Sequence, residues 1–73
     1  MKTRYKFIHF AYDRTWEEWK CFSNENAEKL GDVHQWKDEY TFHPCNEYTY
    51  TDFNVQNLRD IADFLEQLNK EKK

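Results

Sequence analysis

The stretch Asn54–Lys70, NVQNLRDIADFLEQLNK, decides the fold. Leu58, Ile61, Ala62, Leu65 and Leu68 recur at helical spacing, with Arg59, Asp60, Asp63, Glu66 and Gln67 opposite them. Asn54 is a natural N-cap, and Glu66 with Lys70 forms an i,i+4 pair. The spacing predicts a helix over about residues 55–69. Alone in water such a helix is marginal, so its apolar stripe must lie against another element.

The sequence upstream offers only strands for that purpose. Arg4 to Ala11 alternates, with Tyr5, Phe7, His9 and Ala11 on one face and Lys6, Ile8 and Phe10 on the other. This predicts a first strand over residues 4–11, and Asp13-Arg14-Thr15 reads as a turn into a second strand over 16–22. There Trp19 and Cys21 share one face, while Trp16, Lys20 and Phe22 share the other. Ser23-Asn24-Glu25-Asn26 is the strongest turn signal in the chain. A third strand follows over 29–36, in which Gly31 marks a bulge or a close backbone approach. Lys37-Asp38-Glu39 turns the chain again, and a fourth strand over 40–43 ends at Pro44, which has no N–H to donate. The predicted architecture is α+β in a single domain over 1–73: a four-stranded antiparallel meander with one C-terminal helix across one face, ββββα.

With 73 residues the core is small, and the composition compensates with aromatics, at 19%. Each aromatic removes roughly 150–250 Å² from water when buried. Charged residues make up 34% and the formal net charge is −3, mixed in sign along most of the chain. That balance lacks the basic stripe of a dedicated nucleic-acid binder and the carboxylate density of a nucleic-acid mimic. No stretch approaches the roughly 18–20 apolar residues of a membrane span, and FIHFAY, residues 7–12, is too short and polar for a signal-peptide core. The expectation is a cytoplasmic protein in which Cys21 and Cys45 are free thiols.

The order of motifs W-x-C (Trp19, Cys21), L-G (Leu30, Gly31), Trp36, Y-x-F-x-P (Tyr40, Phe42, Pro44) and L-x-D-I-A-x-F (Leu58 to Phe64) runs over nearly the whole chain. In this order the sequence resembles a loose group of small bacterial and phage-borne hypothetical proteins. The group has no established activity, so the resemblance implies packing positions rather than functional residues. WKDEYTF, residues 36–42, is more acidic than the basic, aromatic turn of that group, which puts a shared anionic ligand in doubt.

Five side chains could ligate zinc, namely His9, His34, His43, Cys21 and Cys45, but only His43-Pro44-Cys45 brings two close, at a spacing unlike the C-x₂-C of structural sites. Cys21 lies mid-strand beside Phe22, without the exposed electropositive setting of a nucleophile. The sequence therefore predicts no catalytic residue, no metal and no cofactor. The pairs Glu17-Glu18 and Asp38-Glu39 are interleaved with Lys20 and Lys37, as on a solvated face.

Aromatic surface is the remaining feature. One helix covers one face of a sheet, so rings on the other face are left uncovered unless residues 45–53 fold back over them. On this reading Phe10, Trp16 and Phe22 form a contact patch, with Tyr48 and Tyr50 at its rim, for a protein partner or a second copy of the chain. The alternative is single-stranded nucleic acid, stacked on the same rings and held by Lys6, Arg14 and Lys20. Which face meets the helix is open, because a one-residue slip exchanges the two sets.

Overall fold

A computed structural model describes residues 1–45 and 53–71. The elements run β1 (Ile8–Asp13), β2 (Glu18–Ser23), β3 (Lys29–Trp36), β4 (Glu39–Pro44) and α1 (Val55–Glu71). The strands form one sheet in the order β1-β2-β3-β4, each pair antiparallel, so the ββββα meander is the observed architecture. The third strand has the expected bounds, while β4 and α1 each run slightly further than expected. Asn54 caps α1 as its position predicts, its Oδ1 accepting from the Asn57 N–H at 2.7 Å.

The first two strands start later than their alternation suggests. The chain reverses at Lys6–Phe7: the Tyr5 N–H donates to the Ile8 carbonyl and the Phe10 N–H to the Thr3 carbonyl, both at 2.8 Å. Arg4 is thereby bridged to His9. The predicted strand over 4–11 is a small hairpin followed by β1, and Tyr5 sits on the same side as Ile8 and Phe10 instead of opposite them. Trp16 likewise leaves its expected strand. The Asp13 side chain accepts from the Thr15 N–H at 2.9 Å and opens a turn through 14–17, which ends in a left-handed Glu17 with φ 52°.

Register settles the faces. Phe10 pairs with Cys21 and Tyr12 with Trp19; Trp19 pairs with Val33, Cys21 with Gly31, and Val33 with Phe42. Directly opposed residues share a face, so all of these point to the helix. Tyr5, Ile8, Phe10, Cys21, Leu30 and Val33 close on Ile61, Phe64 and Leu68 to form the core. Leu30 is the extra residue of a bulge, where the β2–β3 register shifts between Cys21 and Phe22. Gly31 is a close approach: a Cβ there would lie 2.5 Å from Phe42 Cζ and 2.6 Å from the His43 carbonyl oxygen.

The helix presents a face rotated from the expected one. Its buried residues are Asp60, Ile61, Phe64 and Leu68, with Leu65 half-buried, whereas Leu58 and Ala62 are exposed. The set 61, 64, 65, 68 is itself a complete i, i+3, i+4, i+7 stripe with an aromatic at its centre. Near the helix start Phe53 reaches the sheet instead of Leu58, edge-on to Phe42 with ring centroids 5.8 Å apart.

Candidate interaction surface

The sheet face turned away from α1 is charged, which corrects the expectation of an aromatic face. Lys20 lies at its centre, its Nζ 3.6 Å from Asp13 Oδ2, 3.4 Å from Glu18 Oε1 and 3.5 Å from Asp32 Oδ1. Lys29 Nζ approaches Asp32 Oδ1 at 2.8 Å, and His34 Nδ1 lies 4.0 Å from Glu18 Oε2. Burial by itself would raise the Asp32 carboxyl, but the Lys29 and Lys20 ammonium groups outweigh it and hold the carboxyl below its ordinary value. Burial likewise opposes the charge on Lys20, yet the Asp32 and Glu18 carboxylates leave its pKa raised.

The expected patch residues are not brought together. Phe10 is 4% exposed on the helix side, so a partner cannot reach it. Phe22 is on the charged face, half-buried and stacked on the His9 ring at 5.6 Å. Trp16 stands in the β1–β2 turn, 71% exposed. Tyr48 and Tyr50 lie outside the described residues. The cause is the register: Phe10 faces Cys21, so even-numbered positions of β1 share a face with odd-numbered positions of β2. The three cations of the nucleic-acid alternative are also dispersed. Lys6 precedes β1, Arg14 follows it, and the Lys20 ammonium is surrounded by carboxylates.

A different set of exposed rings lies at one end of the sheet. In a meander the β1–β2 and β3–β4 connections fall at the same end of the sheet. At that end the exposed rings are Trp16, in the turn, Trp36, 60% exposed, and Tyr12, 50% exposed. Tyr12 is on the helix side of the sheet, and Trp36, an odd three residues from Val33, is on the charged side. Tyr12 is braced edge-on by Trp19 at 5.2 Å, and Trp19 in turn rests edge-on against Phe64 at 5.1 Å. Lys37 Nζ lies 5.9 Å from the Trp36 ring. Around the rings Asp13, Glu17, Glu18, Asp38 and Glu39 stand against Arg14 and Lys37, an acidic excess. Alternation does not find these rings together, because Trp36 reads as an ordinary strand position and Tyr12 falls just past the expected first strand. The signal is their adjacency to turn residues, Asp13 and Lys37-Asp38.

A polar cluster ties the amino-terminal segment to the helix. The Tyr5 hydroxyl donates to Asp63 Oδ2 at 2.8 Å and accepts from Gln67 Nε2 at 2.9 Å. Gln67 Oε1 also accepts from the Lys2 N–H at 2.8 Å, and Gln67 Nε2 donates to the Lys2 carbonyl at 3.0 Å. Burial, then the Asp63 carboxylate, holds the Tyr5 phenol well above its ordinary pKa. Cys21 is fully buried and its thiol is pushed up to about 12 by desolvation, which leaves it inert as a nucleophile. Cys45 is half-buried, its N–H donating to the Leu30 carbonyl at 3.0 Å, and both cysteines are free thiols. Among the described residues no three His, Cys, Asp or Glu side chains are gathered as a metal site, and no helix is long and apolar enough to cross a membrane.

The β4 edge is blunted as a template for an added strand. Asn69 Oδ1 takes the Tyr40 N–H at 2.8 Å, and Pro44 has no N–H. No family model, no curated protein and no solved structure matches the chain.

Proposed function

We propose that the chain is a small non-enzymatic interaction protein that binds a protein partner, or its own copy, through the end of the sheet where Trp16, Trp36 and Tyr12 are exposed. The observation that carries this reading is the exposure of those three rings, 71%, 60% and 50%, with Phe7 at 42% the next most exposed among the described aromatics. Trp and Tyr supply large contact area at small conformational cost, and they are the residues most often found where partners meet. Tyr12 is braced through Trp19 and Phe64, so that ring needs little ordering on binding.

The nucleic-acid alternative has less support, since Lys20 is committed to carboxylates and the rings lie in an acidic surround. The free thiols accord with a cytoplasmic setting. The resemblance to small bacterial and phage-borne proteins suggests a host factor as the partner class.

The test compares the protein with a Trp16→Ala/Trp36→Ala variant, by sedimentation over a concentration series and by co-purification from bacterial cells. Loss of self-association, or of one reproducible partner, with the circular dichroism spectrum unchanged supports the reading. Association retained in full by the double variant rejects it.

A further inference from the structure

We propose that the segment 1–5 is exchangeable between two copies of the chain, with Lys6–Phe7 as the hinge. The segment is firmly bound, but its own connection is poorly built. Two-residue hairpin loops favour left-handed φ at one or both central positions, because only those turns match the twist of the flanking strands, and they favour Gly or Asn there. Here the central residues are Lys6 and Phe7, and neither has a positive φ; the positive-φ residues are Glu17, Ala27 and Lys37. Neither Lys6 nor Phe7 is a residue that such a turn favours, and Phe7 is left 42% exposed there. Short hinge loops under such conflict are those that open in domain swapping.

The reversal is held from outside. Asn24, just past β2, donates its Nδ2 hydrogens to the Tyr5 carbonyl at 2.8 Å and the Lys6 and Ile8 carbonyls at 3.3 Å. Its own N–H donates to the Phe7 carbonyl at 2.9 Å. With Nδ2 spent on carbonyls, Asn24 Oδ1 is the acceptor, so His9 donates to it from Nδ1 at 2.6 Å. Asn24 therefore acts as the latch that keeps the segment on its own chain.

Apart from Asn24, the groups that receive the segment belong to a surface that a second copy presents equally well. Phe10 N–H, the Ile8 carbonyl, the Phe10 ring edge-on to Tyr5 at 6.0 Å, and the Asp63 and Gln67 side chains all lie on β1 and α1. An opened hinge forfeits the Asn24 bonds and the Lys6 ammonium over the Phe7 ring. The remaining contacts re-form in trans, with the extended hinge spanning roughly 7 Å. This exchange is separate from the Trp16 surface, which lies at the other end of β1.

The experiment uses three forms of the full chain, refolded from denaturant at high protein concentration and read by light scattering. Lys6→Asn/Phe7→Gly installs a favourable two-residue turn, and Asn24→Ala removes the latch. The exchange predicts some dimer in the native chain, about tenfold or more in Asn24→Ala, the equivalent of one or two net hydrogen bonds, and none in the turn variant. Should Asn24→Ala not fold, a half-labelled native sample decides. Intermolecular NOEs between the Tyr5 ring of one copy and the Phe10 ring of the other support exchange. A native chain that stays monomeric, or a dimer that persists in the turn variant and lacks those NOEs, overturns it. A dimer of the latter kind that is abolished by Trp16→Ala belongs to the aromatic surface instead.

Discussion

The rings of Phe10 and Phe64 lie face to face, with centroids 3.9 Å apart and planes 4° from parallel. This contact joins the edge strand β1 to the middle of α1, and Phe64 is completely buried. Replacing Phe64 with Ala leaves a cavity bounded by Phe10 and Trp19. The expected loss is about 3–5 kcal/mol, which for a domain of this size approaches the whole stability. Leu58→Ala, on the same helix but exposed, is expected to cost well under 1 kcal/mol. Urea denaturation followed by tryptophan fluorescence separates the two.

Gly31 should resist any side chain. The ring of Phe42 occupies the space a methyl group would need, and the His43 carbonyl closes the other side. Gly31→Ala is expected to destabilise by about 1–3 kcal/mol through overpacking. Adding Phe42→Leu relieves the ring conflict but not the carbonyl, so the double variant should recover only part of the loss.

Stability should fall on the alkaline side because of Cys21. Its thiol ordinarily ionises near 9.0, but in the fold it does so only at about 12. A raised pKa means that the unfolded chain loses its proton first. The contribution is therefore complete below the ordinary value and declines as pH rises, by about 1.4 kcal/mol per unit between the two values. Cys21→Ala should remove the part of this limb that begins near 9.0, without shifting the acid limb. The part that begins near 10.0 should remain, because the Tyr5 phenol is also held up. The acid limb belongs in part to Asp32, whose depressed pKa confers stability above the usual carboxylate range that is lost as pH falls through the depressed value. Thermal melts from pH 2 to 11 read both limbs.

Ala27 has φ 59°, a left-handed conformation that costs a residue bearing a Cβ roughly 1–2 kcal/mol. Glycine removes that strain and returns part of the gain as extra freedom in the unfolded chain. Ala27→Gly should therefore be stabilising by about 0.5 kcal/mol, seen as a small rise in melting temperature.

The legible parts of the fold were those with local signals. The third strand is bounded by Asn24–Asn26 and Lys37-Asp38, and the helix begins at an asparagine cap. The reversal at Lys6–Phe7 has no such signal, because the group that holds it, Asn24, lies far along the chain. The turn through Trp16 is hidden for a related reason: the apolar alternation of the second strand continues back into it. That unknown turn length also fixed the relative parity of β1 and β2. Phe10 and Phe22 therefore could not be assigned to one face or to two from the residues alone. Among the described residues of the expected patch, Trp16 alone is exposed at the end of the sheet, while Tyr12 and Trp36 are brought to that end by the strand order.

The most direct test of the interaction surface is photo-crosslinking in living bacterial cells, with a photoreactive residue placed at position 16, at position 36, or at Ala11 on the charged sheet face. The account predicts a discrete covalent product, with a partner protein or a second copy, from positions 16 and 36 and none from position 11. A product from position 11 alone, or no product from 16 and 36 in a folded chain, would contradict it.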